Sequence, residues 1–91
     1  MANEFSEAIK TAFVSVEELL NGLLGDRSVP RNIKRVAQKS IDELHKEGES
    51  HGVLSSNVMY MVDDLATDPN IPFHARTTVY RIISILEKIK D

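Results

Sequence analysis

Asp26-Arg27-Ser28-Val29-Pro30, leading to Ile33-Lys34, is echoed 42 residues later by Asp68-Pro69-Asn70-Ile71-Pro72, leading to Ala75-Arg76. The same offset pairs Pro30 with Pro72, Lys34 with Arg76, Ala37 with Val79, Ile41 with Ile83 and Leu44 with Leu86. Upstream it pairs Val16 with Val58, Leu19 with Met61, Leu20 with Val62 and Leu23 with Leu65. A repeat of this length is one helix–turn–helix unit, which cannot bury its apolar stripe alone and must pack on its neighbour.

Helices are expected on either side of each repeated turn. Phe5, Ala8, Ile9, Ala12, Phe13, Val16, Leu19, Leu20 and Leu23 recur at three- and four-residue spacing and predict a helix over about 3–24. Asn3 is its expected cap, and Gly25 its left-handed stop. A second helix, about 30–46, starts near Pro30, buries Ile33, Ala37, Ile41 and Leu44, and stops at Gly48. The polar run Glu47-Gly48-Glu49-Ser50-His51-Gly52 reads as a loop. A third helix, about 55–66, starts at Ser55 or Ser56, is capped by a serine or Asn57, and turns Val58, Met61, Val62 and Leu65 inward. A fourth, about 72–90, directs Phe73, Val79, Ile82, Ile83, Leu86 and Ile89 inward. Its β-branched residues favour a strand, but their spacing is helical. The expected fold is all-α: a four-helix antiparallel bundle built from two repeated helical hairpins, as a single helical domain over 1–91. The Asp, Pro and basic positions resemble HEAT-type units. Two units are too few for an open solenoid, so a closed bundle is expected.

Composition narrows function without fixing it. The chain has 91 residues, 42% hydrophobic and 27% charged, an ordinary globular balance. It has no cysteine, which excludes disulfides and thiolate chemistry and fits a reducing compartment. A net charge of −3 argues against a general polyanion binder. No stretch approaches the ~18 apolar residues of a membrane span, and no leader pattern opens the chain. The expectation is a cytoplasmic protein that does not engage membranes.

Two readings attach to the repeated polar positions. In the first, Asp26 and Asp68 organise their turns, together with Pro30, Pro69, Asn70 and Pro72, and Lys34 and Arg76 swing back to lock them. In the second, Lys34 and Arg76 line one surface that binds an anion or acidic partner. Arg31, Arg35 and Lys39 share one face of the second helix at four-residue spacing, with Arg27 and Lys34 nearby. They either form a phosphate-binding surface or pair with Glu17, Glu18 or Asp42. His74 either bonds into the preceding turn or pairs with Asp68. Tyr80, one of two tyrosines with Tyr60, reads as a half-buried packing ring, with an interface anchor as the alternative.

Signals for chemistry are sparse. His45, Glu47, Glu49 and His51 alternate along the loop and are the one metal-binding pattern worth checking. Asp63, Asp64 and Asp68 crowd a helix C-terminus, where acids are unfavourable, so they call for a cation within the fold or outside it. There is no phosphate loop, nucleophile elbow or His-Glu-x-x-His pair. An enzyme would need His74, Asp68 and Arg76 to converge. The expectation is therefore a non-enzymatic module without cofactor or metal, whose partner is another protein or a second copy. The alternative is a nucleic-acid or ribonucleoprotein accessory factor. Arg31, Lys34, Arg35, Lys39, His74 and Arg76 form the candidate interaction surface.

The string from Asp63 to Thr77, with its Asp-Pro-Asn-Ile-Pro-Phe-His-Ala-Arg core, resembles the signature of archaeal uncharacterised protein family 0147. The Ser28-Val29-Pro30-Arg31-Asn32-Ile33-Lys34 run resembles that family's other anchor. The resemblance spans roughly Val16 to Ile89. It implies a compact helical bundle and an archaeal, cytoplasmic source, and it carries no activity. Asp26, Pro30, Lys34, Asp68, Pro69, Asn70, Pro72, His74 and Arg76 thus transfer as a signature without a role. Between Gly48 and Ser56 the chain departs from the family pattern, which is shorter there and continues as a basic, alanine-rich helix; here Met59 and Tyr60 stand instead.

Overall fold

The computed structural model describes residues 2–90, with side chains described from residue 7 onward. Phe5 and the cap expected of Asn3 therefore lie outside the described side chains. Four helices follow in order: α1 (Ala2–Leu24), α2 (Arg31–Leu44), α3 (His51–Ala66) and α4 (Phe73–Leu86), with no strand among the described residues. Each helix packs on its sequence neighbour, and α1 also packs on α4, closing a ring. The result is a four-helix bundle measuring 43 × 21 × 20 Å. No helix is long and apolar enough to cross a membrane among the described residues.

The core obeys the repeat. Val16, Leu20, Leu23, Val29, Ile33, Ala37 and Leu44 are buried, and so are their counterparts Val58, Val62, Leu65, Ile71, Ala75, Val79 and Leu86. Bulk alternates within this scheme: Ile33 answers Ala75, and Ala37 answers Val79, all fully buried. Large and small residues at equivalent positions let the two hairpins interdigitate. The repeat pairs α1 with α3 and α2 with α4, the diagonal helices of the ring. The bundle therefore has a pseudo-two-fold axis along its length, and equivalent residues of the two hairpins face opposite ways.

Several element boundaries differ from the sequence expectation. Both prolines are the residues before their helices rather than the first helical residues: Pro30 has φ −61°, ψ 155° and Pro72 φ −62°, ψ 150°. The extended ψ lets each proline carbonyl accept the first helical bonds, from Lys34 N at 3.1 Å and Arg76 N at 3.0 Å. Gly25 does not adopt a left-handed conformation; the end of α1 closes through Gly25 N to Asn21 O and Asp26 N to Leu23 O. Among the described residues the one positive φ is at Gly48, +87°, in the turn after α2, which ends at Leu44. α3 begins four residues before the expected Ser55, because the Ser50 side chain accepts a bond from Val53 N at 3.2 Å. Ser55 is consequently inside the helix and buried. α4 stops at Leu86, short of Lys90. Phe73, expected inside, is 82% exposed, and Ala75 occupies the core instead. Tyr80, expected half-buried, is 56% exposed.

Candidate functional site

Both Asp-containing turns lie at the same end of the bundle, and their local geometry is alike. Asp26 Oδ1 accepts from Ser28 N at 2.8 Å, and Asp68 Oδ1 accepts from Asn70 N at 2.8 Å. The backbone closes each turn through Val29 N to Asp26 O and Ile71 N to Asp68 O, both at 3.2 Å. These are turns in which an Asp side chain mimics a backbone carbonyl.

The second carboxylate oxygen of each Asp reaches across the bundle. Asp26 Oδ2 pairs with His74 Nε2 at 2.7 Å, and Asp68 Oδ2 accepts from Asn32 Nδ2 at 3.0 Å. Asn32 and His74 are themselves repeat equivalents. Each hairpin thus fastens the other's turn in a crossed clasp. Two sequence expectations are corrected here. Lys34 and Arg76 do not lock their turns, since no ion pair joins them to Asp26 or Asp68. Instead both carboxylates take turn N–H groups and a side chain from the opposite hairpin. His74 pairs with Asp26, not with Asp68. A sequence signal did exist: both clasp partners stand six residues after an Asp of the repeat.

The clasp shifts one ionisation. Asp26 is lowered from 3.8 to about 2, first by the Ser28 hydroxyl at 2.6 Å, then by His74, then by the Ser28 amide. Asp, His and Ser meet here, but not as a nucleophilic relay. Ser28 Oγ lies 3.2 Å from His74 Nε2, the same nitrogen that faces Asp26. A relay needs the carboxylate on one ring nitrogen and the hydroxyl on the other. His74, Asp68 and Arg76 do not converge, because the first two belong to opposite halves of the clasp.

The candidate interaction residues divide between faces. Arg31, Arg35 and Lys39 are exposed on α2, and none forms an ion pair. Of the three acids expected to neutralise them, Glu17 pairs with His45 at 2.5 Å, Asp42 accepts from Gln38 at 3.0 Å, and Glu18 is exposed on α1 and forms no ion pair with them. Among the described residues, both ion pairs use histidine, so every described Lys and Arg side chain is uncommitted in that sense. Lys34 and Arg76 are half-buried on α2 and α4, which are diagonal helices, so they do not line one surface. Arg76 Nε is buried without a hydrogen-bond partner. Asp63 and Asp64 are exposed on the last turns of α3, and Asp68 joins the clasp rather than their cluster.

The loop histidines do not assemble a metal site. His45 turns to Glu17, and the His51 ring meets Phe13 edge-on at 5.6 Å. Among the described residues, no group of three His, Asp or Glu is placed to hold a metal. Sequence reasoning weighed Tyr80 as an interface anchor but missed that Phe73 is exposed and that Tyr60, at 80%, stands in solvent with both. The missed signal lies in the repeat, whose first copy carries Glu18, Arg31 and Gln38 at those positions.

Known proteins resemble this chain over nearly its whole length. The model of an uncharacterised protein family, UPF0147, matches residues 1–89. A UPF0147 protein of Methanothermobacter thermautotrophicus is 44% identical over 79 residues, 87% of this chain and 78% of its own length. One from Thermoplasma volcanium is 44% identical over 77 residues, covering 85% of this chain and 86% of that protein. A crystal structure of a UPF0147 protein from Thermoplasma acidophilum, 40% identical, superposes with a TM-score of 0.85 over 92% of this chain and 99% of that one.

Proposed function

This chain belongs to the uncharacterised protein family UPF0147, and we propose that it serves as a small, non-enzymatic protein–protein interaction module that docks through the outer side of α3 and α4. One observation carries the reading. Tyr60, Phe73 and Tyr80 stand in solvent where the first hairpin presents Glu18, Arg31 and Gln38. Scattered surface apolar residues are ordinary. Three large aromatics on two adjacent helices, at positions that the same fold fills with polar groups on its other side, fit a docking face. The saturated clasp supports a structural role for Asp26, Asp68 and His74 rather than a catalytic one. A cysteine-free chain suits work in the cytoplasm.

Affinity capture of the tagged full chain from lysate of its native cells, with nuclease and without, tests this reading against a Tyr60→Ser/Tyr80→Ser variant. The expected result is protein retained after nuclease by the wild type and lost by the variant. Equal retention by both would overturn the assignment of the face.

The uncompensated stripe Arg31, Arg35 and Lys39 favours a second reading, binding of a nucleic acid along α2. With about three phosphate contacts, affinity for a labelled single-stranded RNA should fall about 20-fold between 50 and 200 mM salt. Arg31→Glu/Arg35→Glu should abolish that binding; unchanged affinity would remove the second reading.

A further inference from the structure

We infer that the α3–α4 face is an isologous interface between two copies of this chain, which rests on the interaction-module reading above. α3 and α4 are antiparallel neighbours joined by the Asp68 turn. Tyr60 lies six residues before the end of α3, and Tyr80 seven after the start of α4, so at about 1.5 Å per residue they stand at the same height. Asp63 and Arg76 are each three residues from the same turn and form a second level, with Asp64 beside them.

A two-fold axis in the plane of this face, parallel to the helices, lays α3 of one copy on α4 of the other. Tyr60 then meets Tyr80 of the second copy, and the reverse, while Asp63 and Asp64 meet its Arg76. Within one copy these three charged groups form no ion pair, and Arg76 is only half-buried, which leaves its guanidinium tip open to a carboxylate. The acids on one helix and the cation on the other are thus self-complementary under that operation. The opposite long side offers no such pairing of aromatics, having Glu18 and Gln38 at the equivalent positions. With 16 residues in α3, this face is about 24 Å long, and across the 21 Å width of the bundle it offers about 500 Å² per partner, the size of a weak, concentration-dependent interface. A two-fold contact also closes on itself, leaving no open edge to propagate.

The test is the mass of the full chain by sedimentation equilibrium between 1 μM and 1 mM, with the monomer at 10.2 kDa. The expected result is a concentration-dependent shift to twice that mass, abolished by Tyr60→Ser/Tyr80→Ser and weakened at least tenfold by Asp63→Lys/Asp64→Lys. Far-UV circular dichroism checks that these surface variants stay folded. Register is read by disulfide trapping, since the natural chain has no cysteine. Under oxidised glutathione, Tyr60→Cys mixed with Tyr80→Cys should link faster than either variant alone. Faster linking of Tyr60→Cys with itself would overturn the proposed axis. A wild-type monomer throughout would overturn the dimer. If capture of another protein were still lost with the two tyrosines, the module reading would survive that failure; if it were not, both would fall.

Discussion

Two serines are fully buried among the described residues, and the same substitution should affect them in opposite directions. Ser40 Oγ donates to Val36 O at 2.9 Å and lies 3.7 Å from Met61 Sδ. Ser55 Oγ is buried with no hydrogen-bond partner. An orphaned buried hydroxyl costs about 1–3 kcal/mol in lost hydration. Ser55→Ala removes that cost and adds a few tenths of a kcal/mol of helix propensity. The void left by one oxygen, about 10 Å³, costs only about 0.2 kcal/mol at about 24 cal/mol per Å³. The net expectation is a gain of about 1–2 kcal/mol, or about 4–16 °C in melting temperature for a domain of this size. That is a large share of the roughly 5–14 kcal/mol expected for 91 residues. Ser40→Ala discards a satisfied hydroxyl and should cost up to about 1 kcal/mol, since the Val36 carbonyl keeps other donors within its helix. Thermal melts followed at 222 nm, with urea titrations to confirm an unchanged m-value, read both variants. A Ser55→Ala protein that melts at or below the wild type would refute the reasoning, by showing that the hydroxyl has found a partner.

Three further expectations follow from the clasp, the turn and the core. Asp68→Ala removes the bonds to Asn70 N and Asn32 Nδ2 and should cost about 1 kcal/mol, read as a fall of several degrees in melting temperature; in a double-mutant cycle, Asn32→Ala should add little once Asp68 is gone. Because Asp26 ionises at about 2 rather than 3.8 in the folded chain, its stabilisation is complete above pH 4 and is lost as pH falls toward 2, so the gap in melting temperature between wild type and Asp26→Asn should close across that window. Leu20→Ala empties a fully buried site between the hairpins and should cost about 3 kcal/mol by urea denaturation, whereas a loss under 1 kcal/mol would contradict the packing.

Chain-local information was enough for the architecture. Apolar spacing and the Asp–Pro turns specify four helices, and the 42-residue offset specifies that two hairpins pack as equals. Element starts were less legible where several residues compete for one job. Ser50, Ser55, Ser56 and Asn57 can all cap a helix, and the winner depends on where the loop lets α3 dock against α1 and α2. Phe73 was placed inside because hydrophobicity by itself does not tell an outward from an inward residue at a helix start; the buried position two residues on belongs to Ala75, which answers the bulk of Ile33.

The sequence by itself determined the helices, the repeat and the turn chemistry of Asp26 and Asp68, because these rest on contacts within a few residues along the chain. Only the tertiary structure decided which partner each Asp takes across the bundle, which cations stay unpaired on α2, and that Tyr60, Phe73 and Tyr80 face solvent on one side only. Those outcomes depend on which helices become neighbours and which become diagonals. Two hairpins with equivalent sequences must pack about a common axis before Asn32 can reach Asp68, or His74 can reach Asp26.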